Sequence, residues 1–466
     1  MDGVPNFAHD GALNLATKAR EETEETMARL YSDEQLADIA RPFEDHAIDA
    51  LRRGDLARVR ELLAAMRDGP AGLDGLSGHT LARKAAKLRR DFGEEAAREA
   101  LARIGAQLMR TWTEQYRAGD ERGAITDLVA IFREQVGARL TPLQETEDAV
   151  VLDMPLCGSG GKLEKQGLPQ KHPDWYGGWS DGVSSFCQIC KACQGSLNDA
   201  VGAKVWTTDK GPDGRCTLTF AKVATRGQRL FSDAEKEALT LTRVERARRK
   251  LEAGDTDIAD LLEGQRKDWK PWHDFGVVLL EYFYAIALEK GGPDYLAEVL
   301  DQTYAPAFHA GFPRYAAMSD DELVREIART WNYHCADFTL FEEDDRFVFR
   351  LDPCGSGGRL FRGEMWRDMF HYGEPLSPLM PDAHDVNFNR TAAPAYCTHC
   401  AASNRAQLKT ATSPDTPLFF VIDGHAQMRP GAPCRVFAYK KTAVREAIDP
   451  ALFRQIGLEP PQETRA

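Results

Sequence analysis

The sequence predicts an α+β protein built from a duplicated unit, in which a helical half is followed by a cysteine-bearing antiparallel α+β half. The motif Cys-Gly-Ser-Gly-Gly occurs twice, beginning at Cys157 and at Cys354. Each copy follows a helical pattern and an apolar strand, and each precedes a Cys-x-x-Cys pair. An internal repeat of this kind indicates two like domains in one chain, which most simply pack as a pseudo-twofold dimer.

The helical halves are recognised by apolar residues that recur at intervals of three and four. Gly69-Pro70 predicts a break between two helices of the first copy. In the second copy the most apolar helix is expected to begin near Phe275, directly after His273-Asp274. This periodicity is shown in the first copy by Leu56, Val59, Leu62 and Leu63.

The same patterns predict the domain boundaries. A polar arm is expected at residues 1–31 and a C-terminal tail at residues 442–466. The first repeat is predicted over residues 32–223, with a helical part at 32–146 and a cysteine-rich part at 147–223. The second repeat is predicted over residues 233–441, with a helical part at 233–334 and a cysteine-rich part at 338–441.

Length and charge limit the classes of partner. A chain of 466 residues can form two or three domains with real cores. The net charge of −13 argues against non-specific binding to nucleic acid or to a membrane surface, because phosphate groups require a basic face. No signal-peptide pattern is present at the N-terminus, so we expect a cytoplasmic protein whose ten cysteines are reduced.

Four cysteines recur in the same order in each copy, which predicts one metal site per copy. A Cys-x-x-Cys turn presents two thiolates to one ion, and zinc takes four such ligands in a closed structural site. The alternative is that these cysteines are small buried apolar residues. The first cysteine set is Cys157, Cys187, Cys190 and Cys216, and the second cysteine set is Cys354, Cys397, Cys400 and Cys434.

Two other interpretations of these motifs stay open. Cys193 extends the first pair to Cys-x-x-Cys-x-x-Cys, which is part of an iron–sulfur pattern, whereas the second copy has Ser403 at the matching place. Cys354 could also be a nucleophile, with the amides of the glycine-rich loop as an oxyanion hole. The loop does not have the spacing of a phosphate-binding loop, so a tight turn around the first thiolate is the simpler interpretation.

Histidines are concentrated in the second half of the chain. His273 and Asp274 lie beside the most apolar helix, and His334 lies at the end of the last helix of that half. Each single histidine is more often a packed or surface residue than a catalyst. Together, however, His273, Asp274 and His334 are the best candidates for proton-transfer groups in an apolar pocket.

The second copy also resembles a known family. The strand Phe347 to Leu351, the turn Gly355 to Gly358 and the closing segment Pro433 to Phe437 resemble the 4-vinyl-reductase-type small-ligand domains and the related L-2-amino-thiazoline-4-carboxylic acid hydrolase-like family. Weaker counterparts are Ala149 to Leu152 and Arg215 to Phe220, and the resemblance covers at most about half of each repeat. It implies a domain that binds a small organic molecule, often as a dimer, with a cysteine-rich zinc site in some members.

These observations together predict a cytoplasmic enzyme with two structural zinc sites. We expect it to act on a small organic molecule by hydrolase or lyase chemistry, in a pocket of the second repeat. One alternative is a non-catalytic ligand-binding or sensory protein with the same zinc sites. Another is an iron–sulfur redox protein with its cluster at Cys187, Cys190 and Cys193.

Overall fold

The computed structural model describes residues 29–135, 137–362, 365, 379–410, 418–423, 434–443 and 448–460, without the side chains of residues 68–77, 135 and 212. The described chain is mixed α+β, with many helices and small antiparallel sheets. The predicted α+β class is therefore confirmed. Most of the predicted N-terminal arm lies outside the described residues.

The first helical section begins with a capping box. The Ser32 hydroxyl accepts a hydrogen bond from the backbone N–H of Gln35, whose side chain accepts one from the Ser32 N–H. Both donors would otherwise be unpaired at the start of the helix. The helices are α1 (Asp33–Ala40), α2 (Phe43–Arg52), α3 (Leu56–Phe92), α4 (Glu94–Leu108), α5 (Arg110–Arg117) and α6 (Glu121–Ala130), and α6 continues into a π-helical turn, Ile131–Gln135.

The first sheet has the strand order β1-β2-β4-β3, and all neighbouring strands are antiparallel. Met154 of β2 pairs with Cys216 of β4. Because Cys157 follows Met154 closely in the chain, this pairing brings Cys157 and Cys216 to the same end of the sheet. The elements are β1 (Gln144–Glu145), β2 (Ala149–Met154), α7 (Gly160–Lys165), α8 (Leu168–Lys171), α9 (Pro173–Tyr176), α10 (Ser185–Val201), β3 (Trp206–Lys210) and β4 (Cys216–Ala221).

The second helical section uses the same start signals. Ser232, Thr242 and Ser319 each form a capping box with a glutamate three residues later. A non-helical Gly292 with φ of 71° interrupts the longest helix. The helices are α11 (Asp233–Ala238), α12 (Arg243–Glu252), α13 (Ala259–Glu263), α14 (Gln265–Thr303), α15 (Ala305–His309), α16 (Phe312–Ala317) and α17 (Asp320–Tyr333).

The second sheet has the order β5-β6-β10-β9, again with antiparallel neighbours. Cys434 of β10 pairs with Leu351 of β6, so Cys354 and Cys434 also lie at one end of a sheet. A separate pair, β7 with β8, lies between these strands in the chain. The elements are β5 (Phe338–Glu342), β6 (Arg346–Leu351), α18 (Gly357–Phe361), β7 (Leu379–Met380), β8 (Ala393–Pro394), α19 (Thr398–Leu408), β9 (Val421–Ile422), β10 (Cys434–Tyr439) and α20 (Pro450–Arg454).

The hydrophobic cores join the two halves of the chain. The largest core packs Phe275 and Leu279 of α14 with residues of α3 to α6 and of the first sheet. Another core packs α2 and α3 against α12 and α13. A third includes Leu36 of α1 together with Phe347 of β6. Burial of apolar surface therefore links the halves extensively, and the domain boundaries stay a prediction.

Two predicted helix breaks are wrong. Helix α3 continues through Gly69-Pro70, and α14 begins at Gln265 and continues through Pro271 instead of starting near Phe275. A proline inside a helix costs about 3 kcal/mol, mainly through one lost hydrogen bond and a steric clash. In α14 the buried Trp269 and Trp272 flank Pro271, and their packing offsets that cost.

The C-terminal residues contribute to the fold. Leu452 and Phe453 of α20, together with Ile456, are buried in the core that contains the second sheet. The described part of the predicted tail is therefore packed against the second half. Within the described residues, no helix combines the length and the apolar character needed to cross a lipid bilayer.

Candidate functional site

The serines of the two glycine-rich loops have nearly the same backbone conformation. Each follows the end of a central strand and leads into a short helix, α7 or α18. Ser159 has φ −107° and ψ −93°, and Ser356 has φ −108° and ψ −92°. The repeated sequence therefore produces the same local structure at both places.

A glycine in each loop contacts the first cysteine of the Cys-x-x-Cys pair. A Cβ atom added at Gly160 would lie 2.6 Å from Cys187 Sγ, and one at Gly357 would lie 2.7 Å from Cys397 Sγ. Both distances are shorter than a carbon and a sulfur tolerate. Glycine is therefore required because the loop backbone approaches the thiol this closely.

The first cysteine set is gathered at the end of the first sheet. The Cys157 sulfur accepts hydrogen bonds from the backbone N–H groups of Ser159, Gly160 and Gly161, while burial raises the pKa of this thiol. Burial also raises the pKa of Cys190 well above its usual value, and interaction with the neighbouring thiols adds to the effect. These neighbours are Cys187, Cys193, Cys216 and Cys157.

The second cysteine set is gathered in the same way. Burial is the main cause that raises the pKa of the Cys434 thiol well above its usual value, followed by interaction with Cys354 and Cys400. Cys397 is likewise buried and interacts with Cys400 and Cys354. The structure thus brings all four predicted ligands together in each half.

The cysteines are free thiols, and all ten lie in the described part of the chain. Among the described residues, no group of three or more His, Cys, Asp or Glu side chains is arranged so that it could hold a metal ion as it stands. The soft sulfur donors of each set nevertheless have the chemistry that zinc or an iron–sulfur cluster selects.

A cavity of about 320 Å³ lies against the first cysteine set. Its walls are mainly apolar and include Phe132, Trp206 and Phe275. Lys210 and Thr208 provide polar groups at its edge. A pocket had been expected beside His273 in the second half, but this cavity adjoins the first half. The cysteines that line it are Cys157, Cys187, Cys190, Cys193 and Cys216.

The three predicted catalytic residues lie together in the second half, where His273 and Asp274 are buried and His334 is partly buried. His273 Nδ1 lies 3.1 Å from Asp274 Oδ1, and His273 Nε2 lies 3.3 Å from His334 Nδ1. The Arg359 guanidinium donates two hydrogen bonds of 2.7 Å to the two carboxylate oxygens of Asp274. Such a two-point pairing fixes the orientation of the carboxylate.

Ser356 completes this group, which we call the polar cluster: His273, Asp274, His334, Ser356 and Arg359. The Ser356 hydroxyl oxygen lies 3.1 Å from His273 Nε2 and 3.3 Å from His334 Nδ1. Burial raises the pKa of Tyr396 well above its usual value, and interaction with the Ser356 hydroxyl opposes this rise. The glycine-rich loop of the second half therefore contributes a serine to the predicted catalytic residues.

The described neighbours of the corresponding loop in the first half are different residues. A Cβ atom added at Gly78 would lie 3.7 Å from Ser159 Cβ, so a glycine adjoins this serine. Phe186 lies 3.4 Å from the Cβ position of Gly160, whereas Tyr396 lies 3.4 Å from that of Gly357. The loop that begins at Cys157 therefore adjoins the cavity, whereas the loop that begins at Cys354 adjoins the polar cluster.

Sequence reasoning missed Ser356, Arg359 and Tyr396 as members of a site. In the sequence, Ser356 and Arg359 stand out only as parts of the repeated loop. Their partners on α14 and α17 are distant in the chain, so only tertiary packing reveals them. The available signal was the difference between the halves in histidine content.

Lys84 is a further residue that the sequence did not reveal. Its side chain is 1% exposed, and its Nζ has no hydrogen-bond partner among the described residues. The ammonium lies 5.4 Å from the centre of the Tyr284 ring. Burial, assisted by Arg83, lowers the pKa of Lys84 to about 7, so the amine is partly neutral near that pH.

The polar cluster should make the fold sensitive to acid. Burial, followed by the proximity of His273 and His399, lowers the pKa of His334 to about 3. An unfolded histidine titrates near 6.5, so between these values only the unfolded chain binds the proton. The contribution of neutral His334 to the free energy of unfolding is therefore complete above about pH 6.5 and decreases as the pH falls towards 3. At pH 5 the decrease is about 2 kcal/mol.

Urea unfolding at pH 7 and pH 5 measures this loss, and His334→Gln should reduce the difference between the two pH values by about 2 kcal/mol. An equal pH dependence in the variant and the unmodified chain would contradict the assignment to His334.

Comparison with known proteins finds no matching family model, no matching curated protein and no matching solved structure.

Proposed function

We propose that this chain is a zinc-containing enzyme that acts on a small organic molecule by hydrolase or lyase chemistry. The observation that carries the proposal is the position of His273 between a carboxylate and a hydroxyl in a buried site. The reaction is assigned to the polar cluster of the second half, as the histidine pattern of the sequence predicts.

The neighbours of His273 determine which of its ring nitrogens carries a proton. The Asp274 carboxylate can only accept a hydrogen bond, so His273 carries its proton on Nδ1 and leaves Nε2 as a base. Arg359 binds both carboxylate oxygens of Asp274 and fixes their orientation. A neutral imidazole whose free nitrogen lies 3.1 Å from a hydroxyl is within reach for general base catalysis.

Each cysteine set is proposed to bind one zinc ion in a structural role. The three backbone N–H groups at Cys157 favour a thiolate there. Zinc binding displaces the protons that burial keeps on the thiols, and it would draw the four sulfurs to tetrahedral spacing. Equal loop conformations, equal glycine–thiol contacts and the corresponding strand orders support two repeats related by a pseudo-twofold axis.

Zinc content tests this proposal first. We expect about two zinc ions per chain, because each closed site takes four thiolates. Elemental analysis of the purified protein, together with its optical spectrum, measures the metal directly. A brown protein that contains iron, or a metal-free protein of full stability, would overturn the zinc assignment.

The cavity supports a second candidate function, a ligand-binding or sensory protein without turnover. Its volume and apolar walls suit a small organic molecule. Cys193 lies on the same cavity as the first cysteine set, and this placement favours an iron–sulfur cluster as the further alternative. Stoichiometric ligand binding without any product would favour the ligand-binding or sensory protein. Bound iron and sulfide would favour the iron–sulfur protein.

The proposed setting is the cytoplasm, where the free thiols would stay reduced. The net charge of −13 is consistent with a small-molecule partner and does not favour nucleic acid or a membrane surface. The family resemblance of the second copy points to the same class of ligand.

A further inference from the structure

Ser356 occupies the centre of the polar cluster. Its hydroxyl lies within hydrogen-bonding distance of His273 on α14 and of His334, which directly follows α17, and it interacts with Tyr396. The residue is 4% exposed and lies in the turn between strand β6 and helix α18. Its environment is therefore made by three distant parts of the chain.

The order of contacts around Ser356 is that of an activated nucleophile. Ser356 Oγ faces His273 Nε2 at 3.1 Å, and the opposite nitrogen of His273 faces Asp274 at 3.1 Å. A serine, a base and a carboxylate that orients the base form the arrangement that activates hydroxyl groups in acyl transfer. We propose that Ser356 is a covalent nucleophile that accepts the acyl group of a small carboxylic ester; this rests on the base role proposed for His273.

The proton and electron movements balance. Ser356 Oγ forms a bond to the carbonyl carbon while its proton moves to His273 Nε2, and the carbonyl electron pair moves to oxygen. The carbon–oxygen bond to the leaving alcohol then breaks, and the alcohol takes the proton from His273. Water attacks the serine ester, again through His273, to release the carboxylic acid and restore the hydroxyl.

The first half shows that the loop does not require this cluster. Ser159 has nearly the same backbone angles as Ser356, yet among the described residues it adjoins Gly78, and Phe186 lies beside the next residue of the loop, Gly160. The polar partners of Ser356 are therefore additional to the conformation of the loop. A buried polar network is costly unless each member is satisfied, so the cluster around Ser356 favours a chemical role.

An unsatisfied donor lies beside the cluster. Trp331 is 5% exposed, and its Nε1 has no hydrogen-bond partner among the described residues. The Trp331 ring lies 5.5 Å from the ring of His334. A buried N–H without a partner costs free energy, so this donor is available to an acceptor that binds beside the cluster.

Covalent labelling of the full-length protein tests the proposal. An alkyl fluorophosphonate loses fluoride when a nucleophilic serine attacks its phosphorus, and mass spectrometry of the digested protein locates the adduct. We expect one adduct on Ser356 and none on Ser159, which serves as the internal control because no histidine contacts among the described residues activate it. A wild-type protein that stays unlabelled at Ser356, or that is labelled at Ser159 to the same extent, overturns the proposal.

Variants separate this inference from the function on which it rests. His273→Ala should slow labelling by a factor of about 10²–10⁴, the usual contribution of a general base. If Ser356→Ala is folded and zinc-loaded and still hydrolyses p-nitrophenyl acetate while His273→Ala does not, Ser356 is not the nucleophile but His273 keeps its proposed role. If Ser356→Ala does not fold, adduct mapping on the wild-type chain decides the matter.

Discussion

Cys397→Ser is expected to lose one zinc ion and a large part of the stability of the second half. Cys397 is 3% exposed and packs directly against Gly357 of the loop. Metal binding is coupled to folding, so the loss of one ligand from a closed site removes binding energy from the folded state. We expect zinc to fall from about two ions per chain to about one and the free energy of unfolding to fall by about 3–5 kcal/mol.

Cys335→Ser is the matched control for this experiment. Cys335 is also buried at 5% exposure, but it belongs to neither cysteine set. This variant should keep about two zinc ions per chain, because both sets of four ligands stay intact. If Cys397→Ser kept its full zinc content, or if both variants lost the same amount, the second cysteine set would not be a metal site.

His273→Ala is expected to abolish turnover while zinc content stays unchanged. The substitution removes the group that faces Ser356 on one side and Asp274 on the other. Hydrolysis of p-nitrophenyl acetate should fall by a factor of about 10²–10⁴, because that is the usual effect of losing a general base. Stability should also fall by about 1–3 kcal/mol, since two buried polar groups lose a partner.

His46→Ala controls for the loss of a histidine as such. His46 lies on α2 and is far in sequence from the polar cluster. Its Nε2 is 3.1 Å from the carbonyl oxygen of Asp38. The activity of the His46→Ala variant should equal that of the unmodified chain. A His273→Ala protein with a lowered melting temperature but full activity would mean that His273 only packs the interior of α14.

Local patterns predicted the elements more reliably than their ends. The periodic residues Leu56, Val59, Leu62 and Leu63 predicted a helix, and α3 contains them. The apolar strand predicted before Cys157 is β2. The break predicted before Phe275 was wrong because the cost of one proline is smaller than the packing energy of a long buried helix. Helix α3 likewise continues through Gly69-Pro70. Helix propensity reflects interactions within one turn, whereas the burial of apolar side chains stabilises the helix along its whole length.

The site shows the same division. The sequence by itself determined which cysteines belong together, because their order and the glycines beside them recur in both halves. It also indicated His273, Asp274 and His334 through the unequal distribution of histidines. It could not connect them with Ser356, which lies 83 residues from His273 in the chain.

Only the tertiary structure decided where the cavity lies and which loop carries a polar cluster. Both loops have the same backbone, so the difference arises from side chains supplied by other elements: Gly78 and Phe186 in one half, His273 and Tyr396 in the other. A local motif specifies backbone conformation through steric limits that act between neighbours in the chain. The chemistry at that motif depends on which distant side chains are packed against it, and packing is a property of the whole fold.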